Sequence, residues 1–496
     1  TISYYGRLIY SLFDRYVVTA TVRRDGSSNF SEGNRWGTFP SAAIAWRVKE
    51  ESFLKDVKAI SNAKVRIGWG QTGNAGGIAG RSTYALSSAD TKYNFYAPGL
   101  GGGTTGSFDR VVGFYAPLVD TNLKWETNEQ TNFGLDLGFL NNDLTVTMDF
   151  FTRKTKDLLL ERQIRPSAGN TSIYTNYGQI DNTGFEFSVN YNKKLNKDWA
   201  INVAFNGSTL KNKIKKMGAD YTATCTGGNS TYSADEIDGS NLGAVSGTGF
   251  NWNNHSICRE GEAVGSYYGY KVAGIIKTQE QLDKAKAQGQ DAQIGDFLFV
   301  DTDKNGTLDD NDRVILGNGL PKFNFGLNLS ATYKDWDFSL YTYGVLGMDI
   351  LSYSKMRLSI MNPSDDSWTP ALLKDSYNNM YNAETNPNGT LPRLTRLDNN
   401  KNSRISDAWV ENGDFLKISN IQVGYNVPKK FLSSFGLTAV RAYVAVQNLC
   451  TISPYSKYGD PEVGQGSVLF SGLDTGRFPI DRKSTRLNSS HECQSR

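Results

Sequence analysis

The sequence predicts an all-β chain, in fold class a transmembrane antiparallel β-barrel, on three observations. Apolar and polar residues alternate with a period of two in run after run; the connections between runs are either very short or very long; and Tyr and Trp gather where the runs end. Successive side chains of a strand point to opposite faces, so this alternation marks strands with two different environments.

The first alternating runs lie near 16–24, 38–48, 64–70 and 131–140. Leu144, Val146, Met148 and Phe150 then face away from Thr145, Thr147 and Asp149. Phe185, Phe187, Val189 and Tyr191 alternate with Glu186, Ser188, Asn190 and Asn192, and Trp199, Ile201, Val203 and Phe205 with Ala200, Asn202, Ala204 and Asn206. Phe323, Phe325, Leu327, Leu329 and Ala331 oppose Asn324, Gly326, Asn328 and Ser330. Runs near 338–346, 414–427 and 440–449 bring the total to roughly a dozen strands.

A soluble sandwich and a membrane barrel write the same alternation. The connections discriminate. Asn141-Asn142-Asp143 and Lys334-Asp335-Trp336-Asp337 read as tight turns, whereas 211–265 is irregular. Outer-membrane barrels have short periplasmic turns and long outer loops. Tyr16, Trp125, Tyr191, Trp199, Tyr333 and Trp336 stand at strand ends, where an interfacial girdle sits, and the polar face is rich in Asn, Ser, Thr and Gly, as a wet lumen requires.

Composition agrees. The 496 residues include 26 Tyr, 25 Phe and 50 Gly but only 13 Pro, with a mean hydropathy of −0.45. No stretch approaches about 18 consecutive apolar residues, which excludes a membrane-spanning helix and says nothing against a barrel. Net charge is +3 with no basic run interleaved with aromatics, so nucleic acid is not an expected partner. Cys225, Cys258, Cys450 and Cys493 are too far apart for a metal knuckle. Cys225 and Cys258 share one polar segment and can pair; unpaired small residues are the simpler reading. Gly-rich stretches at 73–80 and 99–106 lack the Lys-Ser/Thr ending of a phosphate cradle and read as loops. No carboxylate pair is placed to flank a glycosidic bond, and Asp460-Pro461-Glu462 reads as a rigid turn, so no catalytic residue is assigned and no enzyme is expected.

Both ends read as interrupted. Thr1-Ile2-Ser3-Tyr4-Tyr5 has no Met, basic n-region or apolar h-region, so the chain is expected to start mid-protein. Asp481 to His491, DRKSTRLNSSH, is what a common sequencing-library adapter encodes in one frame, so residues 481–496 are expected not to be native and 1–480 to be the protein proper. Without that tail His255 is the only histidine, which disfavours histidine triads and histidine metal sites.

One segment carries site chemistry. Asp301 to Asp312, DTDKNGTLDDND, matches the spacing of a calcium loop, with oxygen ligands at positions 1, 3, 5, 7, 9 and 12 and Gly at 6. Asp301, Asp303 and Asn305 would offer side-chain oxygens, Thr307 its carbonyl, and Asp309 and Asp312 would complete the shell around a structural Ca²⁺. Position 12 is Asp where Glu is usual, and no flanking helix pair is evident. The alternative is an acidic Asn-Gly turn shaped by hydrogen bonds alone. If Lys334 to Asp337 is a periplasmic turn the loop lies outside the cell, provided that Tyr267 to Ile276 does not span the membrane.

Several segments, taken together, resemble the SusC/RagA branch of the TonB-dependent receptors, in that family's order across nearly all of 1–480. Tyr16 to Phe30 (YVVTATVRRDGSSNF) resembles its R-x-DGSS-x-F strand, and Phe39-Pro40-Ser41 with Ala45-Trp46-Arg47 its next segment. Lys64 to Asn74 (KVRIGWGQTGN), Leu123-Lys124-Trp125-Glu126, Gly295-Asp296 with Asp301 to Asp312, Phe415 to Tyr425 (FLKISNIQVGY), and Gln447-Asn448-Leu449 leading to Asp460-Pro461-Glu462 follow collinearly. The resemblance implies the later half of a plugged barrel of about 22 strands in the outer membrane of a Gram-negative bacterium. It also implies import of large nutrients, oligosaccharides or peptides, with a SusD-like surface lipoprotein, and energisation by TonB through an N-terminal region not in this sequence. A soluble β-rich adhesin or lectin and an outer-membrane pore or receptor without active uptake are the alternatives.

Overall fold

The computed structural model describes residues 2–76, 88–95, 111–115, 120–163, 172–217, 255–360, 372–395, 397–432, 436–464, 468–476 and 483–486. Its main element is a 13-stranded sheet whose strands lie side by side in chain order. These are β1 (Ile2–Leu12), β2 (Tyr16–Gly26), β3 (Trp36–Trp46), β4 (Ile60–Asn74), β5 (Glu126–Phe139), β6 (Leu144–Lys156), β7 (Gln179–Lys194), β8 (Trp199–Lys216), β9 (Phe323–Tyr333), β10 (Trp336–Leu346), β11 (Phe415–Asn426), β12 (Arg441–Ile452) and β13 (Lys483–Arg486). Every neighbouring pair is antiparallel. The sheet is not closed.

The short turns all lie at one end. Leu140, Asn141 and Asn142 turn the chain with φ of 53°, 58° and 65°, a left-handed region that Asn tolerates. Lys334 (φ 50°) and Asp335 form a two-residue turn, because Tyr333 already pairs with Trp336; Trp336 and Asp337 therefore belong to β10 and not to the turn. At the other end β8 continues to Lys216, so strand occupies the first residues of the stretch expected to be irregular.

The two faces of the sheet separate cleanly. Phe133, Phe150 and Phe185 stand in one cross-strand row and are 49%, 51% and 37% exposed. Ile44, Ile67, Val423 and Val444 on other strands are exposed too. An apolar surface this extensive marks a face that is covered by something other than water, as the lipid-facing band of a barrel is. Below it, Trp199, Tyr333, Trp336 and Tyr425 form a single row across four strands, with Trp199 and Tyr333 ring centroids 4.5 Å apart and Trp336 and Tyr425 4.8 Å apart. Phe323 and Tyr333 stand ten residues apart on β9. At about 3.3 Å per residue and a tilt of about 40° that is about 25 Å, the height of a barrel's apolar band.

Trp125 departs from the expected girdle. It is 8% exposed and packs on Phe30 and Phe39, with ring centroids 5.2 and 5.6 Å away. It precedes β5, so strand alternation does not govern its direction, and its Nε1 donates to the Arg35 carbonyl at 3.3 Å.

The described residues of 255–322, 347–414 and 453–476, which follow β8, β10 and β12, build a shared core outside the sheet. Tyr267, Phe297, Phe299, Leu351, Tyr353, Trp409 and Leu473 are buried together there. Tyr267 Oη donates to the carbonyls of Asp349 and Ser471, at 3.0 and 2.8 Å, and so joins all three segments. Among the described residues, Ser266–Gly269 and Val272–Ile275 pair only with short strands of this cap, so Tyr267 to Ile276 does not span the membrane. Cys258 is disulfide-bonded, against the reading of unpaired thiols, as an oxidising exterior permits; Cys225 and Cys493 lie outside the described residues, and Cys450 is free. Residues 77–80 and 99–106 of the Gly-rich stretches also lie outside them, while Gly73 is the last residue but one of β4. Lys483–Arg486 adds to the edge of β12; ladder hydrogen bonds are indifferent to side chains, so that pairing does not bear on the origin of the tail.

Candidate functional site

The polar face of the sheet is built by the alternate residues of the same strands. Arg66 on β4 donates through Nε and Nη2 to both carboxylate oxygens of Asp136 on β5, each at 2.9 Å, and through Nη2 to Asp149 on β6 at 3.0 Å. Lys64 reaches Asp136 at 2.8 Å, and Asn132 donates to Asp149 at 3.0 Å. A recess beside this network is lined by Arg7, Thr19, Ser41, Gln130, Asn132 and Arg153. Bidentate guanidinium–carboxylate pairs hold such a wall rigid, and its amides and hydroxyls face an aqueous lumen.

At the outer end the cap is pinned to that wall. Lys417 on β11 is 2% exposed and pairs with Glu462, which also accepts from Tyr343 Oη on β10. Asp460 Oδ1 accepts the Glu462 N–H at 3.0 Å, so Asp460-Pro461-Glu462 is the rigid turn its residues suggest, and it carries one partner of a buried ion pair.

The segment 301–312 lies in the cap. The carboxylates of Asp301, Asp303 and Asp312 come within 4.8 Å of one another. Gly306, at φ 90°, places its N–H 2.9 Å from Asp301 Oδ2. Asp312 is fully buried; its Oδ1 accepts from the Thr302 and Asp303 N–H groups and its Oδ2 from that of Asp309 at 2.9 Å. Asn305 Oδ1 accepts from Thr307 N–H at 2.7 Å, and Asp309 Oδ1 from Asn311 N–H at 2.8 Å, so these two side chains also order the loop itself. Partial desolvation acts against ionisation of Asp301, yet the N–H groups of Gly306 and Lys304 outweigh it and hold its carboxyl below the ordinary range. Asp301 Oδ1 is buried and accepts no hydrogen bond from the described residues. An orphaned carboxylate oxygen among three convergent acids fits a hard, oxygen-ligated cation.

Sequence reasoning noted Gly295-Asp296 as a motif segment but did not join Asp296 to Arg393 and Asn402, which lie close by in the fold. Asp296 is 2% exposed; its Oδ1 accepts from Arg393 Nε at 3.0 Å and Asn402 Nδ2 at 3.3 Å, and its Oδ2 from the Gln293 N–H at 2.9 Å. Burial pushes its carboxyl up, and the Gln293 N–H and Arg393 act against that push. Gly295 was the available signal. Its φ of 95° marks a turn that aims the next residue inward.

Comparison with known proteins places this architecture. A family model described as "TonB dependent receptor-like, beta-barrel" matches residues 1–449. TonB-dependent receptor P3 of Formosa agariphila is 34% identical over 98% of this chain and 45% of its own length. TonB-dependent receptor SusC of Bacteroides thetaiotaomicron is 33% identical over 96% of this chain and 42% of its own. Among solved structures, that of the RagAB peptide transporter superposes with a TM-score of 0.74 at 19% identity, covering 97% of this chain and 46% of that one. The chain thus spans under half the length of the relatives it matches. It belongs to the TonB-dependent receptor-like β-barrel family, outer-membrane receptors and transporters of Gram-negative bacteria and not enzymes, within which it is SusC-like.

Proposed function

We propose that the protein containing this chain imports large nutrients, oligosaccharides or peptides, across the outer membrane. The observation that carries the reading is the division of the sheet into a lipid-facing band and a hydrated, charge-stiffened inner wall under an ordered cap. Such a wall suits a wide lumen, and the similarly folded structure titled RagAB peptide transporter supports the peptide class. The uptake partner is a SusD-like surface lipoprotein seated on the cap, and the energy source is TonB, acting through the N-terminal region that the longer relatives have room for. Deleting the full-length gene and supplying oligosaccharide or peptide as sole carbon source tests this. Growth is expected to fail on one class and return on complementation. Unchanged growth on both, with no lipoprotein co-purifying from the native membrane, would leave a receptor or pore without active uptake.

Within the cap, the reading extends to a structural calcium ion held by Asp301, Asp303 and Asp312, with Asn305, Thr307 and Asp309 completing the shell. The orphaned Oδ1 of Asp301 supports it. A hard cation held by carboxylates and carbonyls stiffens a loop and offers no activated nucleophile.

A further inference from the structure

Above the row Phe133–Phe150–Phe185 the lipid-facing side of β5–β8 changes character within two residues per strand. The next row outward is Thr131–Thr152–Thr183–Lys211, and the one after is Glu129–Lys154–Asp181–Lys213. Their intervening neighbours Gln130, Arg153, Asn182 and Leu210 line the inner recess, which puts both rows on the lipid side. Lys156 sits one row higher, its Nζ 2.7 Å from Glu129. Gln179 holds Asp181 at 2.7 Å. Lys216 completes that higher row opposite Gln179, so five lysines stand against two acids, with threonine hydroxyls directly beneath. The phenylalanine row itself continues through Thr209 to Phe323, where the pairing of β8 with β9 begins, so the threonine and lysine rows lie on β5–β8 alone.

We propose that this sector is a binding site for the phosphorylated headgroup of an outer-leaflet glycolipid. The short turns lie at the opposite end, so these rows meet the outer leaflet. The patch continues the lipid-facing band without a break, so its neighbour is a lipid headgroup. Lysine stems lie along apolar surface and lift their ammonium groups to headgroup level. A phosphate monoester carries a charge of about −1.5 to −2 at neutral pH, which the excess of lysines over acids in this sector attracts. The inference depends on the orientation of the barrel and is independent of what the barrel imports.

The test uses the full-length protein in detergent, with monophosphorylated lipid A as probe and native mass spectrometry as readout. Wild type and Arg153→Gln, which removes a charge from the opposite face of the same strand, are expected to retain the glycolipid equally. The triple variant Lys154→Gln, Lys211→Gln, Lys213→Gln is expected to lose affinity on the order of tenfold or more. Inorganic phosphate at the same concentration should not displace the glycolipid. Equal retention by the triple variant, equal loss in Arg153→Gln, or displacement by inorganic phosphate would overturn the proposal. Folding is checked by heat-modifiable electrophoretic migration. Should the triple variant fail it, Lys154→Gln and Lys213→Gln singly are each expected to weaken retention severalfold, and unchanged retention in both would overturn the proposal equally.

Discussion

Arg393 donates from Nε to Oδ1 of the buried Asp296 at 3.0 Å and so fastens two cap segments that lie far apart in the chain. Removing one partner of such a pair leaves an uncompensated buried charge. Arg393→Met is expected to cost about 3 kcal/mol of local cap stability at neutral pH. Burial already raises the Asp296 carboxyl above its ordinary value, so its ionised form opposes folding and protonation relieves that opposition. Hydrogen exchange of residues 293–300 should show lost protection at pH 7 that returns as the pH falls toward about 4. Equal loss at both pH values would mean that packing, and not charge, holds this segment.

The face assignment is checked by one pair of variants. Leu329 lies mid-strand on the lipid side of β9, and Asn328, its neighbour, on the lumen side. Leu329→Arg is expected to destabilise the folded full-length barrel in lipid vesicles by about 2–4 kcal/mol, whereas Asn328→Arg should lie within about 1 kcal/mol of wild type. Urea unfolding measures both. A reversed order would invert the sheet.

Aromatic packing at the outer rim gives a third expectation. A Cβ on Gly73 would run into the ring of Phe39, which is itself locked against Trp125. Gly73→Ala should therefore cost about 1–3 kcal/mol by overpacking. Gly33→Ala, where a Cβ meets nothing within 4 Å, should cost little, and thermal unfolding of the two side by side decides.

For the acidic loop, the double variant Asp301→Ala, Asp303→Ala of the full-length protein should lose bound calcium and become cleavable within 301–312 at neutral pH. Asp312→Ala should open the loop with or without calcium, because Asp312 accepts three backbone N–H groups. The Asp301 carboxyl is held below its ordinary value, so the order it contributes should persist down to about pH 4 and fail as the pH falls further. Unchanged calcium content and unchanged proteolysis in the double variant would leave a hydrogen-bonded turn.

By itself the sequence determined the strands, because the alternation of Phe185 with Glu186 or Leu329 with Ser330 is a local property with a period of two and needs no knowledge of neighbours. It placed turns at Asn141 to Asp143 and within Lys334 to Asp337, the second of which pairing narrows to Lys334-Asp335, and it marked the spacing of Asp301, Asp303 and Asp312. Tertiary structure decided what depends on register. Whether four aromatics align into one row from Trp199 to Tyr425, whether Lys154 and Lys213 flank Asp181, and whether Arg66 meets two carboxylates all turn on which residue stands opposite which. A slip of one residue would have sent each set to the other face. The partners of Trp125 and Asp296 were illegible for a related reason: both residues lie outside regular strands, where direction is set by what the chain packs against and not by its period.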